Sequence, residues 1–203
     1  QNVLPYISMD AGPEESYGSS IDISEIIDLT GKLDGSGNLK WNVPPGRWTI
    51  MRFVTRNNGA VTRPAPLPGL GFEADKFDTA SFDAHYNSYV GKLIKKVTPR
   101  KVKNGGGWTM IHIDSWEMGS QNWSPGFRQQ FIKRRGYDPM PYLPVYTGRI
   151  VGSLEKSERF LWDLRQTSNE LIMENHAGRF KELGRMNGFR LSIEPYDMNP
   201  SSD

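Results

Sequence analysis

Two short hydrophobic runs in this chain each end in acidic residues. The first runs from Trp108 to Glu117 and the second from Phe189 to Asp197. Side chains at the carboxyl ends of parallel strands meet at one edge of a sheet, and carboxylates with aromatic rings at that edge are typical of barrels that cleave glycosidic bonds. This placement is the main feature of the sequence that predicts an enzyme.

Glu117 is the strongest candidate for a proton donor. It follows a predicted buried strand and lies between Trp116 and Met118. Apolar neighbours disfavour the charged carboxylate and raise its pKa, which suits a general acid. The alternative is a structural carboxylate in an ion pair, for which Arg128 or Arg134 would serve as the partner.

Asp114 lies three residues before Glu117 on the same run. In an extended strand the two side chains point to opposite faces, because successive residues alternate, so they need not act as a pair. We expect Asp114 to bind a sugar hydroxyl, ligate a cation or cap a turn. His112 shares the face of Asp114, and a lone histidine in a strand is more often a hydrogen-bonded core residue than a ligand.

Glu194 closes the second run, with Tyr196 and Asp197 just beyond it. Two carboxylates at neighbouring strand ends can face one pocket, where inverting glycosidases need a separation of about 6.5–9.5 Å and retaining ones about 5–5.5 Å. Oxygen donors of this kind could also hold Ca²⁺. The rings of Trp116, Trp123 and Tyr196 could pack on the C–H faces of a sugar, although tryptophan is equally common in protein cores.

The first third of the chain predicts a β-rich segment or insertion. Residues 1–70 are rich in turn-forming residues, and short strands are predicted at residues 39–43 and 47–55. Several prolines between residues 56 and 70 predict an irregular extended loop.

From residue 71 to residue 203 helical patterns alternate with the two runs that end in acidic residues. Predicted helices cover residues 79–97, 125–135 and 153–183, and a proline-broken loop is predicted at residues 138–144. The apolar residues of the first run predict a strand covered on both faces. Helix–strand alternation predicts an α/β fold with parallel strands, and we expect the division into domains to fall between 1–70 and 71–203.

The overall composition excludes several classes of protein. A net charge of +2 is too small to predict nucleic-acid binding. The absence of cysteine excludes disulfides and thiolate metal sites. No apolar stretch approaches the roughly 18 residues of a membrane helix, and we expect no signal peptide within this sequence. Because it begins at Gln1 and ends at Asp203, directly after a strand-like run, we expect a piece of a longer chain.

Several runs of residues match one known pattern. The most specific is Asp114–Trp123. The supporting runs are Gly71–Phe77 followed by His85, Arg134–Asp138, Pro141–Pro144, Thr147–Arg149, Ser157–Asp163 and Glu194–Tyr196. Together they resemble glycoside hydrolase family 106, the α-L-rhamnosidases. The likeness covers nearly the whole chain and is densest from residue 69 to residue 200.

The resemblance implies part of a (β/α)₈ TIM-type barrel with a small β-rich N-terminal segment, which hydrolyses terminal α-L-rhamnosyl bonds with inversion. It also implies a calcium ion near the sugar, rhamnose-containing oligosaccharides or polysaccharides as partners, and a periplasmic or extracellular location. Family members are several times longer than 203 residues, so this chain would be the middle of the barrel. Glu117 matches the general acid, the partner base would lie beyond Asp203, and Glu194 would contact substrate or cation.

Other interpretations stay open. Another barrel glycosidase, such as a β-galactosidase-like enzyme, would also carry acidic residues at strand ends. A non-catalytic carbohydrate-binding module would keep the aromatic residues, but such modules are usually β-sandwiches, which the strand–helix alternation disfavours. An incomplete barrel could also be inactive and poorly soluble by itself, because its sheet edges and core would be exposed.

Overall fold

The computed structural model describes residues 19–62, 65–97, 99, 106–114 and 121–194. These residues form a mixed α/β structure that is mostly helical, with one small parallel sheet. The helices are α1 Thr79–Ser88, α2 Val90–Val97, α3 Phe127–Arg135, α4 Leu154–Ile172 and α5 Arg179–Met186, and the strands are β1 Met110–Ile113 and β2 Arg190–Ile193. No helix in these ranges is long and apolar enough to span a membrane.

The described residues divide into two compact units. The first unit contains those from 56 to 127 and from 165 onward, and the second contains those up to 55 and from 128 to 164. The domain division at residue 70 stays a prediction.

The sheet of the first unit consists of β1 and β2, which pair in parallel as the sequence predicts. Ile111 lies opposite Leu191, and His112 lies opposite Ser192. The strands are shorter than the runs that predicted them. Burial alternates along β1, so that Ile111 is buried whereas Met110 is 44% exposed. The expectation of a strand covered on both faces is therefore wrong for the described residues, because helices cover the face of Ile111 and leave the other face open.

The covered face of the sheet forms the core of the first unit. Ile111 and Ile113 belong to one buried cluster with Phe82 and Tyr86 of α1 and Phe180 of α5. The rings of Phe82 and Phe180 meet edge to face, with 5.7 Å between their centroids. Such pairs add to the free energy already gained by burying apolar surface.

Helix α1 begins as the sequence predicts but ends early. The carboxylate of Asp78 accepts hydrogen bonds from the backbone amides of Ala80 and Ser81, which would otherwise lack partners at a helix start. The single helix predicted over residues 79–97 is instead two helices. Tyr89 separates them, with φ −118° and ψ −78°.

The long helical stretch predicted from Ser153 is confirmed, but it contains a wider turn. The side chain of Ser153 accepts a hydrogen bond from the amide of Lys156 at 3.2 Å, and Gly188 ends the stretch with φ +79°. Between α4 and α5 a π-helix covers Met173–Gly178. Such segments are rare and often accompany functional sites.

The π-helix buries a histidine. His176 meets the ring of Phe82 edge to face at 5.1 Å. Burial, with smaller electrostatic contributions from Lys76 and His85, lowers the pKa of His176 from its ordinary value of 6.5 to about 4. The folded chain therefore favours the neutral imidazole at neutral pH.

In the second unit an aromatic cluster packs against α4. The ring of Phe160 stacks on Tyr142 with 5.3 Å between centroids and also contacts Phe131. Tyr137 donates a hydrogen bond to Asp163 at 3.0 Å. Burial and the nearby Asp163 carboxylate raise the pKa of Tyr137.

Two predictions for the second unit are wrong. Residues 140–147 form a 3₁₀-helix instead of a proline-broken loop, because prolines have a helical φ and Asp138 accepts a hydrogen bond from the amide of Met140. The strands predicted at residues 39–43 and 47–55 are absent. A strand needs a hydrogen-bonded neighbour, and of residues 39–55 only Leu39 has a bridge partner, through an isolated bridge to Leu33.

Gly184 allows α5 to approach β1 closely. A Cβ atom at this position would lie 2.5 Å from Cδ1 of Ile111 and 3.3 Å from its Cγ1. No side chain fits in that space unless Ile111, which is buried, moves. The close packing of α5 against the sheet therefore depends on glycine at position 184, which has no side chain.

We expect Gly184→Ala to lower the free energy of unfolding by about 1–3 kcal/mol, since overpacking forces buried side chains from their preferred rotamers. Urea denaturation monitored by tryptophan fluorescence measures the change. Gly126→Ala is the matched control, because a Cβ there meets nothing within 4 Å. Ile111→Val removes the clashing Cδ1, so the double variant should be more stable than the sum of the single changes predicts. Additive losses would contradict the steric explanation.

His176 should make stability dependent on pH. As the pH falls below 6.5, the imidazole of His176 binds a proton in the unfolded chain but not in the folded chain, where it becomes protonated only near pH 4. The free energy of unfolding therefore falls as the pH falls through this window. The loss should reach about 3 kcal/mol near pH 4. Urea titrations at pH 7 and pH 4.5 measure it.

His176→Asn should remove most of this dependence on pH between 4 and 6.5. His85→Asn is the control that should keep it, because the main cause is the burial of His176. An equal pH slope in the wild-type protein and the His176 variant would contradict the prediction.

Candidate functional site

The carboxyl ends of β1 and β2 bring three polar side chains together. His112 lies within β1, Asp114 directly follows it, and Glu194 directly follows β2. One ligand atom from each lies within 4.8 Å of the others, and all three residues are exposed. We call these residues the edge cluster.

Parallel pairing explains why the edge cluster forms. Two parallel strands in register end at the same edge of the sheet, and the amide of Glu194 donates to the carbonyl of Ile113 at 3.0 Å. Side chains alternate along each strand, so that His112 and Asp114 share the face opposite the buried Ile111 and Ile113. The sequence predicted this shared face for His112 and Asp114.

Only some of the candidate site residues lie within the part of the chain that the structure describes. It brings Asp114 and Glu194 together, as their positions at neighbouring strand ends predict. Trp116, Glu117 and Tyr196 lie outside the described residues, and so does Asp197. The roles suggested for all of these residues stay predictions.

The ring of Trp123 makes a core contact. It packs against the ring of Phe127 with 4.9 Å between centroids, and Phe127 is fully buried. This contact fits the core role that the sequence left open for Trp123 beside the sugar-binding one.

His112 departs from its expected role as a core histidine. It is exposed, and its Nδ1 lies 3.2 Å from Oγ of Ser192 on the paired strand. The reason is that its face of β1 is the uncovered one among the described residues. Sequence reasoning missed both His112 and Ser192 as site residues, although each lies two residues before an acidic candidate on the same strand face.

The separation within the edge cluster limits its chemistry. The acidic oxygens of Asp114 and Glu194 that lie within 4.8 Å of each other are closer than the roughly 6.5–9.5 Å that an inverting acid–base pair needs. No water molecule and sugar carbon fit between them. These two carboxylates therefore do not suit an inverting acid–base pair, although their separation is near the roughly 5–5.5 Å of a retaining pair.

The donor set of the edge cluster fits a hard cation. Ca²⁺ takes six to eight oxygen ligands at about 2.3–2.6 Å, so carboxylate oxygens within 4.8 Å of one another can contact one ion. Asp114 and Glu194 supply such oxygens, whereas the imidazole of His112 is a ligand more usual for zinc, copper or iron. Two carboxylates leave several coordination positions for water or hydroxyl groups.

The side chain of Gln121, seven residues after Asp114, makes a second group of contacts. The side-chain oxygen of Gln121 accepts from the amide of Lys76 at 2.9 Å, and its nitrogen donates to the carboxylate of Asp75. Lys76 is itself buried and ion-paired with Glu73. We call residues 73–77 the anchor segment.

The π-helix also contacts the anchor segment. The side-chain amide of Asn175 donates to the carbonyl of Phe77 at 2.7 Å, and the ring of Phe77 packs on Phe127 at 5.5 Å. The charged residues of the anchor segment therefore have structural partners among the described residues. Their contacts hold residue 121 in place.

Comparison with known proteins gives consistent matches. A family model described as alpha-L-rhamnosidase, glycoside hydrolase 106, matches residues 3–201. A relative from Formosa agariphila, named a beta-glucuronidase, is 38% identical over 178 residues, which make up 87% of this chain and 15% of the relative. A rhamnosidase structure from Novosphingobium sp. PP1Y matches with a TM-score of 0.69 and 31% identity, over 86% of this chain and 17% of that one. This chain thus spans less than a fifth of the length of either protein.

Proposed function

The chain belongs to glycoside hydrolase family 106, the α-L-rhamnosidases, and we propose that it is part of the catalytic region of an enzyme that hydrolyses terminal α-L-rhamnosyl bonds. The observation that carries this proposal is the edge cluster. Within a chain that matches a glycosidase family, it gathers two carboxylates and an imidazole at the carboxyl edge of parallel strands. The similarity to a rhamnosidase structure supports the choice of sugar.

The proposed architecture is a segment of a (β/α)₈ barrel. In such barrels helices cover the outer face of each strand, and the active site lies at the carboxyl edge. The parallel pair β1–β2 fits this arrangement, because its helix-covered face carries Ile111 and Ile113 and its open face carries His112. The open face would then line the interior of the barrel.

Glu117 is the proposed general acid. It would donate its proton to the glycosidic oxygen as the bond to the anomeric carbon breaks, while a second carboxylate removes a proton from the attacking water. Attack from the opposite face inverts the configuration. The short separation of Asp114 and Glu194 argues against these two residues as an inverting pair with each other, and the proposed partner of Glu117 lies beyond Asp203.

Asp114 and Glu194 are the proposed ligands of a calcium ion. Their oxygens fit the ligand type and spacing that Ca²⁺ requires. When bound, the ion would supply positive charge that fixes sugar hydroxyl groups at the edge of the sheet. Trp116, Trp123 and Tyr196 remain candidates for contacts with the sugar rings.

Rhamnose-containing oligosaccharides or polysaccharides are the proposed substrates, and the periplasm or the extracellular space is the proposed location. The name of the relative from Formosa agariphila favours a second candidate, the hydrolysis of β-glucuronides. The family model described as alpha-L-rhamnosidase and the similarity to a rhamnosidase structure favour rhamnose over glucuronic acid.

We expect Glu117→Gln in the full-length protein to lower kcat/KM on 4-nitrophenyl α-L-rhamnoside about 10²–10⁴-fold, since the glutamine cannot donate a proton. A 2,4-dinitrophenyl rhamnoside should lose less, because its leaving group needs little protonation. Steady-state assays of both substrates measure the difference. Glu155→Gln in the first turn of α4 is the control that should keep normal turnover.

Near-normal turnover by the Glu117 variant would remove it from the acid role. Parallel assays of 4-nitrophenyl β-D-glucuronide and β-D-galactoside test the alternative enzymes. Turnover of one of these in place of the rhamnoside would overturn the choice of sugar. Rhamnose binding with no turnover of any glycoside would instead identify a binding module.

Removal of calcium should lower activity on the aryl rhamnoside, and added Ca²⁺ should restore it. We expect Asp114→Asn and Glu194→Gln each to weaken Ca²⁺ binding at least tenfold, because each replaces a charged ligand with a neutral one. Isothermal titration calorimetry with Ca²⁺ measures the affinity. Wild-type protein that binds no Ca²⁺ would contradict the assignment.

A further inference from the structure

We propose that His112 binds a hydroxyl group of the sugar and that Ser192 positions the imidazole ring of His112. Asp114 and Glu194 hold the cation, and His112 does not ligate it. This inference rests on the proposed function and deepens it. It assigns separate roles to the three members of the edge cluster, which their spacing alone does not distinguish.

The contact with Ser192 fixes the histidine ring. His112 and Ser192 are partners in the parallel register, and 3.2 Å separates Nδ1 from Oγ. Because Nδ1 is used in this way, Nε2 is the ring nitrogen left for another hydrogen bond. Both residues belong to strands, which hold side chains more rigidly than loops do.

The carboxylates and the imidazole of the edge cluster differ in what they can bind. Calcium prefers oxygen donors, and the two carboxylates supply them, whereas imidazole is a weak ligand for so hard an ion. An ionised carboxylate can only accept hydrogen bonds, but an imidazole can donate or accept one. His112 therefore adds a capacity that Asp114 and Glu194 lack.

The spacing places the imidazole where a bound hydroxyl group would need it. One ring nitrogen of His112 lies within 4.8 Å of both acidic oxygens, so the imidazole borders the space where a hydroxyl that touches their cation would bind. The oxygen of such a hydroxyl donates electron density to the ion, and its proton still needs an acceptor. An imidazole held by Ser192 can accept that proton in a hydrogen bond.

Variants of the full-length protein test this division. His112→Ala should leave the Kd for Ca²⁺ within about twofold but weaken the binding of L-rhamnose and raise KM for the aryl rhamnoside about ten- to a hundredfold, because a hydrogen bond within a charged site is lost. Calorimetry with Ca²⁺ alone and with L-rhamnose gives the two affinities, and steady-state assays give KM and kcat. His112→Gln, which keeps a polar side chain, is the second variant if His112→Ala does not fold.

The positioning role of Ser192 has its own test. Ser192→Ala should shift KM in the same direction by a smaller factor, and Ser192→Thr, which keeps the hydroxyl, should restore it. Arg190→Ala at the start of β2 is the control that should change neither affinity. Equal KM values for Ser192→Ala and wild type would overturn the positioning role.

Two outcomes would overturn the role of His112. Loss of Ca²⁺ binding in His112→Ala would show that the histidine ligates the cation. Unchanged affinity for rhamnose in a variant that still folds would show that it does not contact the sugar. Wild-type protein that neither binds rhamnose nor cleaves the rhamnoside would overturn the proposed function as well, whereas an active wild type with an unaffected variant would overturn this inference alone.

Discussion

The parallel register of β1 and β2 is the constraint on which the rest of the site depends. Because side chains alternate along a strand, a slip of one residue would turn His112 toward the helices and Ile111 toward the open face. Burial of Ile111 and Ile113 in the core opposes such a slip, since the exchange would bury an imidazole and expose two large apolar side chains. The hydrophobic core thus fixes the register, and the register gathers the edge cluster.

The close approach of α5 links helix packing to the same register. Gly184 contributes no side chain, so the helix backbone lies against Ile111, whose burial fixes the face of β1. Across the helices, Arg179 pairs with Asp83 through two hydrogen bonds of 2.8 and 2.7 Å. This ion pair joins α5 to α1 and is partly exposed, so it orients the helices more than it stabilises them.

Local signals in the sequence were enough for many of the elements. The start of α1 follows from the cap at Asp78, the long stretch from Ser153 ends at Gly188, and the start and end of α3 agree with the prediction to within two residues. The meeting of Asp114 and Glu194 also follows, because parallel strands end at one edge. These features depend on short-range spacing, which a single sequence contains.

Features that depend on distant partners did not follow from the sequence. The break at Tyr89 and the π-helix leave no clear mark in the hydrophobic periodicity, and the apolar residues at 47–55 resemble a strand although no partner strand pairs with them in the described chain. His112 was assigned to the core because single-residue statistics ignore which face the helices cover. Its pairing with Ser192 joins residues 80 positions apart.

The contacts of Gln121 fix the chain four residues after the proposed general acid, Glu117. Asp114 is held by its place directly after β1, and Gln121 is held by Asp75 and Lys76 of the anchor segment. The six residues between these two points include Glu117. Both neighbours of this short segment are therefore fixed by hydrogen bonds within the first unit, one through the strand pairing and the other through a side-chain amide. The proposed proton donor Glu117 thus lies in sequence between two residues whose places are fixed, and fixed surroundings are what the preorganisation needed for glycosidic bond cleavage depends on.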